Sequence, residues 1–217
     1  MIFNPYIQHL SHKFCIFADM LQFIARINDR YSVAELAQMA IEGGCHWVEL
    51  DLPDASDDFV RETALELKNL CMETGTFLTI VDRPEVAKEA GLHGVQLRGA
   101  NARRAAEVRE ELGAEAIIGI EAAGADAILR TQNLDIDYAT LPAGLPVADV
   151  ERIVAAVRKA EMQLPVVASG EFTPDGAIEA MVAGASGIAV SAAIADAPDP
   201  VEATQLLVEA LEATRQQ

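Results

Sequence analysis

Residues 165–194 read PVVASGEFTPDGAIEAMVAGASGIAVSAAI. A short apolar run, 165–168, meets a small polar turn at Ser169 and Gly170; Pro174 then opens a helical stretch to 183, and a second apolar run follows at 186–190. Neither run alternates apolar with polar residues, as expected of strands covered on both faces. Two such strands joined through a helix make a parallel βαβ unit, because parallel neighbours need a crossover connection.

The same alternation extends back through the chain. Further strands are predicted at 22–27, 46–50, 77–81, 93–97, 116–120 and 136–141, with helices at 32–43, 57–74, 84–90, 102–112, 124–132, 147–161 and 200–214. Ser32, Ser56 with Asp57, and Pro174 supply helix-start signals. Eight strand–helix pairs fit an α/β fold, a single (β/α)8 TIM barrel; a doubly wound open sheet is the alternative, since periodicity does not reveal closure. Residues 1–21 are expected to form an N-terminal helical extension beneath the barrel, within one domain spanning 1–217.

With 51% apolar residues in 217, the chain can bury one large core. A net charge of −18 argues against nucleic acid and against anionic membrane surfaces. The apolar stretch 177–197 carries Glu179, Asp196 and glycines, so it reads as core rather than a membrane span. Cys15, Cys45 and Cys71 show no metal or disulfide spacing and read as reduced thiols of a cytoplasmic protein. Monomer and homo-oligomer both stay open.

Barrel chemistry lies at the carboxyl ends of the strands. There the sequence puts Asn28, Asp29 and Arg30, then Glu49 with Asp51, Asp82 with Arg83, and Gln96, Arg98 and Asn101. Glu121, Ser169, Gly170, Glu171 and Ser191 complete the set. Lys13, Lys68, Lys88 and Lys159 all fall elsewhere, which removes Schiff-base chemistry, and His46 and His93 begin strands at the opposite end. The catalytic candidates are therefore Glu49, Asp51, Arg98 and Glu121. Carboxylates there suit Mg²⁺, which prefers oxygen, and equally suit ion pairs with Arg30, Arg83 and Arg98. Arg98 has two candidate partners, an incoming phosphate or a neighbouring carboxylate; Asp82, after the adjacent strand, is the expected one. Ser169, Gly170, Ser191 and Ala192 are read as a phosphate-binding pair of turns, the alternative being a tight turn that needs Gly170.

These stretches resemble the thiamine phosphate synthase and thiazole tautomerase family along nearly the whole chain after residue 22. The carriers are GGCHWVELDLP, IVDRPEVAKEAGLHGVQLRGAN, EAIIGIEA and the segment quoted first. The resemblance implies thiamine biosynthesis: joining hydroxymethylpyrimidine pyrophosphate to thiazole phosphate, with Mg²⁺ and a phosphorylated small-molecule partner. Its residues are only partly kept. The family's pyrophosphate-binding glutamine, arginine and lysine fall on Glu49, Asp51 and Pro53, and its pyrimidine-side asparagine falls on Val81. Of the two Mg²⁺ aspartates, one survives as Asp82 and the other falls on Asn101, leaving a weakened site. The serine after strand five falls on Glu121, and LPAGLP at 141–146 lacks the family's phosphate clamp. Two alternatives follow: a catalytically impaired member that binds a phosphorylated ligand or partner protein, and an isomerase or lyase acting on another phosphorylated molecule.

Overall fold

The structure, a computed structural model, describes residues 20–215. Eight parallel strands close into a barrel in chain order: β1 (Met20–Ala25), β2 (Trp47–Leu50), β3 (Phe77–Val81), β4 (Gly94–Leu97), β5 (Ile117–Glu121), β6 (Tyr138–Thr140), β7 (Val166–Ser169) and β8 (Gly187–Val190). Between and after them run α1 (Val33–Glu42), α2 (Asp57–Thr74), α3 (Pro84–Ala90), α4 (Ala105–Leu112), α5 (Ala125–Leu129), α6 (Val147–Lys159), α7 (Pro174–Val182), α8 (Ala192–Ala195) and α9 (Pro200–Thr214). The barrel expected from the alternation is present, and the open sheet is excluded by the pairing of β1 with β8.

The helix starts follow the sequence. Ser32 and Glu35 form a reciprocal capping box, Ser56 accepts from the Phe59 amide, and Thr173 caps α7 with Pro174 behind it. Three expectations need correction. Residues 20 and 21, assigned to a helical extension, begin β1, because Met20 and Leu21 pair with Gly187 and Ile188 to close the barrel; residues 1–19 lie outside the described ones. β1 ends at Ala25, not 27. The stretch after β4 opens as a 3-10 turn, Gly99–Arg104, before α4. No helix among the described residues is long and apolar enough to cross a membrane.

Strand parity divides each strand between an outer face against the helices and an inner face in the lumen. The lumen is filled, as small barrels require. Ile24, Trp47, Ile117, Tyr138, Val167 and Ala189 cluster there, with Trp47 and Tyr138 edge to face at 4.8 Å. Gly119 is required by this filling: a Cβ there would stand 2.1 Å from the Tyr138 ring. Above this plug the inner face turns polar, and that change of character defines the site.

Candidate functional site at the barrel mouth

Inner-face parity carries Gln22, Glu49, Gln96 and Thr140 into the upper lumen, all buried. Thr140 donates to Gln96 at 3.0 Å. The Glu49 carboxyl, with zero exposure, accepts from Gln22 Nε2 at 3.0 Å and from the Tyr138 hydroxyl at 3.4 Å, both on Oε2. Its other oxygen makes no hydrogen bond and faces Arg98 Nη2 at 3.7 Å. Burial pushes the Glu49 carboxyl up to about 8, although Arg98 pulls the other way. A carboxyl so placed keeps its proton for the most part at neutral pH.

Two residues on from Glu49, just past the end of β2, Asp51 meets two guanidinium groups. Arg26 reaches it with Nε at 2.8 Å and Nη2 at 2.6 Å, while Arg98 Nη1 lies 2.9 Å from both its oxygens. Arg98 also sets its Nε 3.3 Å from Glu121, whose side chain is 39% exposed. The expected ion-pair reading is therefore met at Arg98, but with Asp51 as the partner instead of Asp82. The reason is backbone geometry: Asp82 has φ 54, in the left-handed region, and its carboxylate accepts from the Arg98 backbone amide at 2.9 Å. The guanidinium is left to cross to β2. Arg30 and Arg83 do not join the ring; Arg30 donates to the carbonyls of Asp196 and Ala197, and Arg83 pairs with Asp57. A cavity of about 340 Å³ opens here, lined by Asp51, Pro53, Asp82, Arg83 and Arg98 among others.

Asp82 and Asn101 are the expected metal positions. One Asp82 oxygen is spent on an N–H, Asn101 sits in the 3-10 turn, and Arg98 brings positive charge beside them. Among the described residues no group of three His, Cys, Asp or Glu is placed to hold a metal. Mg²⁺ draws most of its six oxygens from water and ligand phosphates and only one or two from protein carboxylates, so Asp82 with Asn101 would supply the protein's share of such a site.

The two small-residue turns lie where the sequence put them, at the ends of β7 and β8, with α8 following Ser191. Their donors are largely engaged. The Gly170 amide donates to the Ala189 carbonyl at 3.0 Å, and the Ser191 hydroxyl donates to the Ile24 carbonyl at 2.9 Å. The Glu171 carboxylate accepts from the Ala193 amide. A Cβ on Gly170 would meet only the Phe172 ring and the Gly144 amide, at 3.4 and 3.7 Å, so the turn itself does not demand glycine.

Sequence reasoning missed Arg26, Gln22 and Tyr138. The signal for Arg26 was available: it continues the period-two series of Gln22 and Ile24, so it is an arginine aimed at the barrel axis.

Residues 21–194 match the family model described as thiamine monophosphate synthase. A thiamine-phosphate synthase of Bacteroides fragilis is 36% identical over 203 residues, covering 87% of this chain and 98% of its own. One from Natronomonas pharaonis is 36% identical over 197 residues, covering 83% and 88%. Among solved structures, thiamine phosphate pyrophosphorylase from Pyrococcus furiosus superposes with a TM-score of 0.80 at 24% identity, covering 92% of this chain and 98% of that one. Orotidine 5'-phosphate decarboxylase from Pyrococcus horikoshii gives 0.68 at 16% identity, covering 89% and 99%. At those identities the structural likeness is one of fold.

Proposed function

The chain belongs to the thiamine monophosphate synthase family, as a synthase-like protein of thiamine biosynthesis, and from that premise we propose that its mouth takes a small phosphorylated molecule whose anionic group meets Arg98 and Arg26. The observation that carries this reading is the pair of guanidinium groups converging on one carboxylate, Asp51, with the Arg98 arm lining a 340 Å³ cavity. Guanidinium forks match phosphate oxygens as well as carboxylate oxygens. A phosphorylated ligand would compete with Asp51 for donors already aimed at the mouth.

The same geometry argues for slow chemistry. In the coupling reaction pyrophosphate leaves with the electron pair of the methylene C–O bond, and the thiazole nitrogen supplies the pair for the new C–N bond. Stabilising that departure needs positive charge unshared with the protein. Here the departing anion faces Asp51 and Glu121, and both arginines are shared with them. The turns at Ser169-Gly170 and Ser191-Ala192 act in this reading as a secondary phosphate seat, closed by Glu171 until a stronger anion displaces it. Magnesium would be held at Asp82 and Asn101, with the ligand's phosphates and water completing its shell. Buried Cys45 and Cys71 suit a reducing compartment, and we place the protein in the cytoplasm on that ground.

Steady-state turnover with hydroxymethylpyrimidine pyrophosphate and thiazole phosphate, paired with calorimetric binding of each, tests the proposal. Measurable binding with turnover far below about 1 s⁻¹, the lower end of ordinary enzymes, is expected. Turnover at or above that rate would overturn the slow-chemistry half, and absence of binding the other.

A further inference from the structure

Three polar atoms at the top of the lumen are buried without a hydrogen bond: Gln22 Oε1, Glu49 Oε1 and Arg98 Nε. Well-packed proteins carry few such atoms, and each calls for a physical account. Arg98 Nε lies on the far side of its guanidinium, 3.3 Å from Glu121, while Glu49 Oε1 faces that guanidinium across the boundary between lumen and mouth, 3.7 Å from Nη2. That distance is too long for a hydrogen bond and short enough for a charge on Glu49 to change the guanidinium's position.

We propose that Glu49 is a positioning residue for Arg98: while it holds its proton the guanidinium stays up against Asp51 at the mouth, and when it loses the proton the guanidinium is drawn down into the lumen. The inward move would satisfy Glu49 Oε1 at the expense of the Asp51 and Glu121 contacts, while withdrawing the mouth's anion-binding cation. It rests on the reading that Arg98 meets the ligand's anionic group.

The groups facing Glu49 can be named element by element. Tyr138 on β6 donates to it and is itself held protonated well above its ordinary value, chiefly by burial. Gln22 on β1 donates without charge. Arg98 beyond β4 and Arg26 beyond β1 favour the ionised form, and Asp51 beyond β2 opposes it. Glu121 on β5 acts from the far side of Arg98. Glu49 itself titrates in the mildly alkaline range, with its midpoint at about 8.

The test has two readouts. The ¹⁵N resonance of Arg98 Nε, assigned by its absence in Arg98→Lys, is followed through the Glu49 midpoint of about 8 in wild-type protein and in Glu49→Gln. Inorganic pyrophosphate is titrated over the same range by calorimetry. The wild-type resonance should inflect at that midpoint, and that of Glu49→Gln should not. Wild-type pyrophosphate affinity should also fall about tenfold per pH unit beyond the midpoint, as the competent fraction falls, relative to Glu49→Gln. A flat wild-type Nε resonance overturns the inference whatever pyrophosphate does, and needs no variant to fold. Parallel affinity profiles in the two proteins also overturn it, while leaving the anion reading in place. An inflecting resonance with no pyrophosphate binding at any pH supports the positioning role and instead defeats the anion reading.

Discussion

Replacing Glu49 by glutamine should change how stability depends on pH, and the size of the change can be worked from the site. The carboxyl is wholly buried and its midpoint lies at about 8 in the folded protein against an ordinary value of 4.5. Between those values the folded state keeps a proton that the unfolded chain has released. Stability contributed by that proton is therefore fully present below the unfolded value and lost as pH rises towards the folded one. Each pH unit crossed between the two midpoints removes about 1.36 kcal/mol, so roughly 3–4 kcal/mol should disappear between about pH 5 and about pH 8. Glutamine titrates in neither state, and the difference between the two proteins isolates position 49 from the other carboxylates. Urea unfolding at closely spaced pH values, with the slopes checked for constancy, measures both curves. The wild-type curve should descend relative to that of Glu49→Gln across this window. Parallel curves would mean that Glu49 is ionised when folded, and would remove the physical basis for a neutral acid beneath Arg98.

Three further substitutions probe the frame around the site. Arg98→Ala takes one of two cations from buried Asp51 and should cost about 1–3 kcal/mol in a thermal or urea melt; unchanged stability with lost phosphate binding would assign the residue to the ligand alone. Gly119→Ala drives a methyl into the Tyr138 ring, which has no room to retreat, and should destabilise by about 3 kcal/mol; a melt within about 0.5 kcal/mol of wild type would contradict the filled lumen. Arg109→Ala removes a buried guanidinium that bonds Asp137 at 2.7 Å and the carbonyls of Asp135 and Ala116 at the far end of the barrel. Its cost should reach about 3–5 kcal/mol while the affinity of any mouth ligand stays unchanged, which calorimetry would check.

The barrel was legible because each of its strands is covered on both faces, and that burial writes itself into runs such as VVAS and GIAV. Closure was not, because it depends on Met20 and Leu21 meeting Gly187 and Ile188, a pairing between the two ends of the chain. The carboxylates and Arg98 could be placed at the mouth from parity alone. Their partners could not: Tyr138 and Glu49 are 89 residues apart, and only the curvature of the sheet brings β2 and β6 to one point. Asp82 was the natural partner for Arg98 by strand order, and lost that role to a left-handed backbone that an aspartate tolerates but does not by itself announce. Glu171 was visible as an oddity among small residues; that it occupies the Ala193 amide needed coordinates.

Everything proposed for the mouth depends on a phosphorylated ligand binding where Arg98 and Arg26 converge. A crystal structure grown with thiazole phosphate would decide the matter. Phosphate density should stand within hydrogen-bond distance of the Arg98 guanidinium, with Asp51 giving up at least one of its two arginine contacts. Phosphate seated instead beside the Ala193 amide, with Glu171 displaced and Arg98 still bound to Asp51, would contradict the proposal.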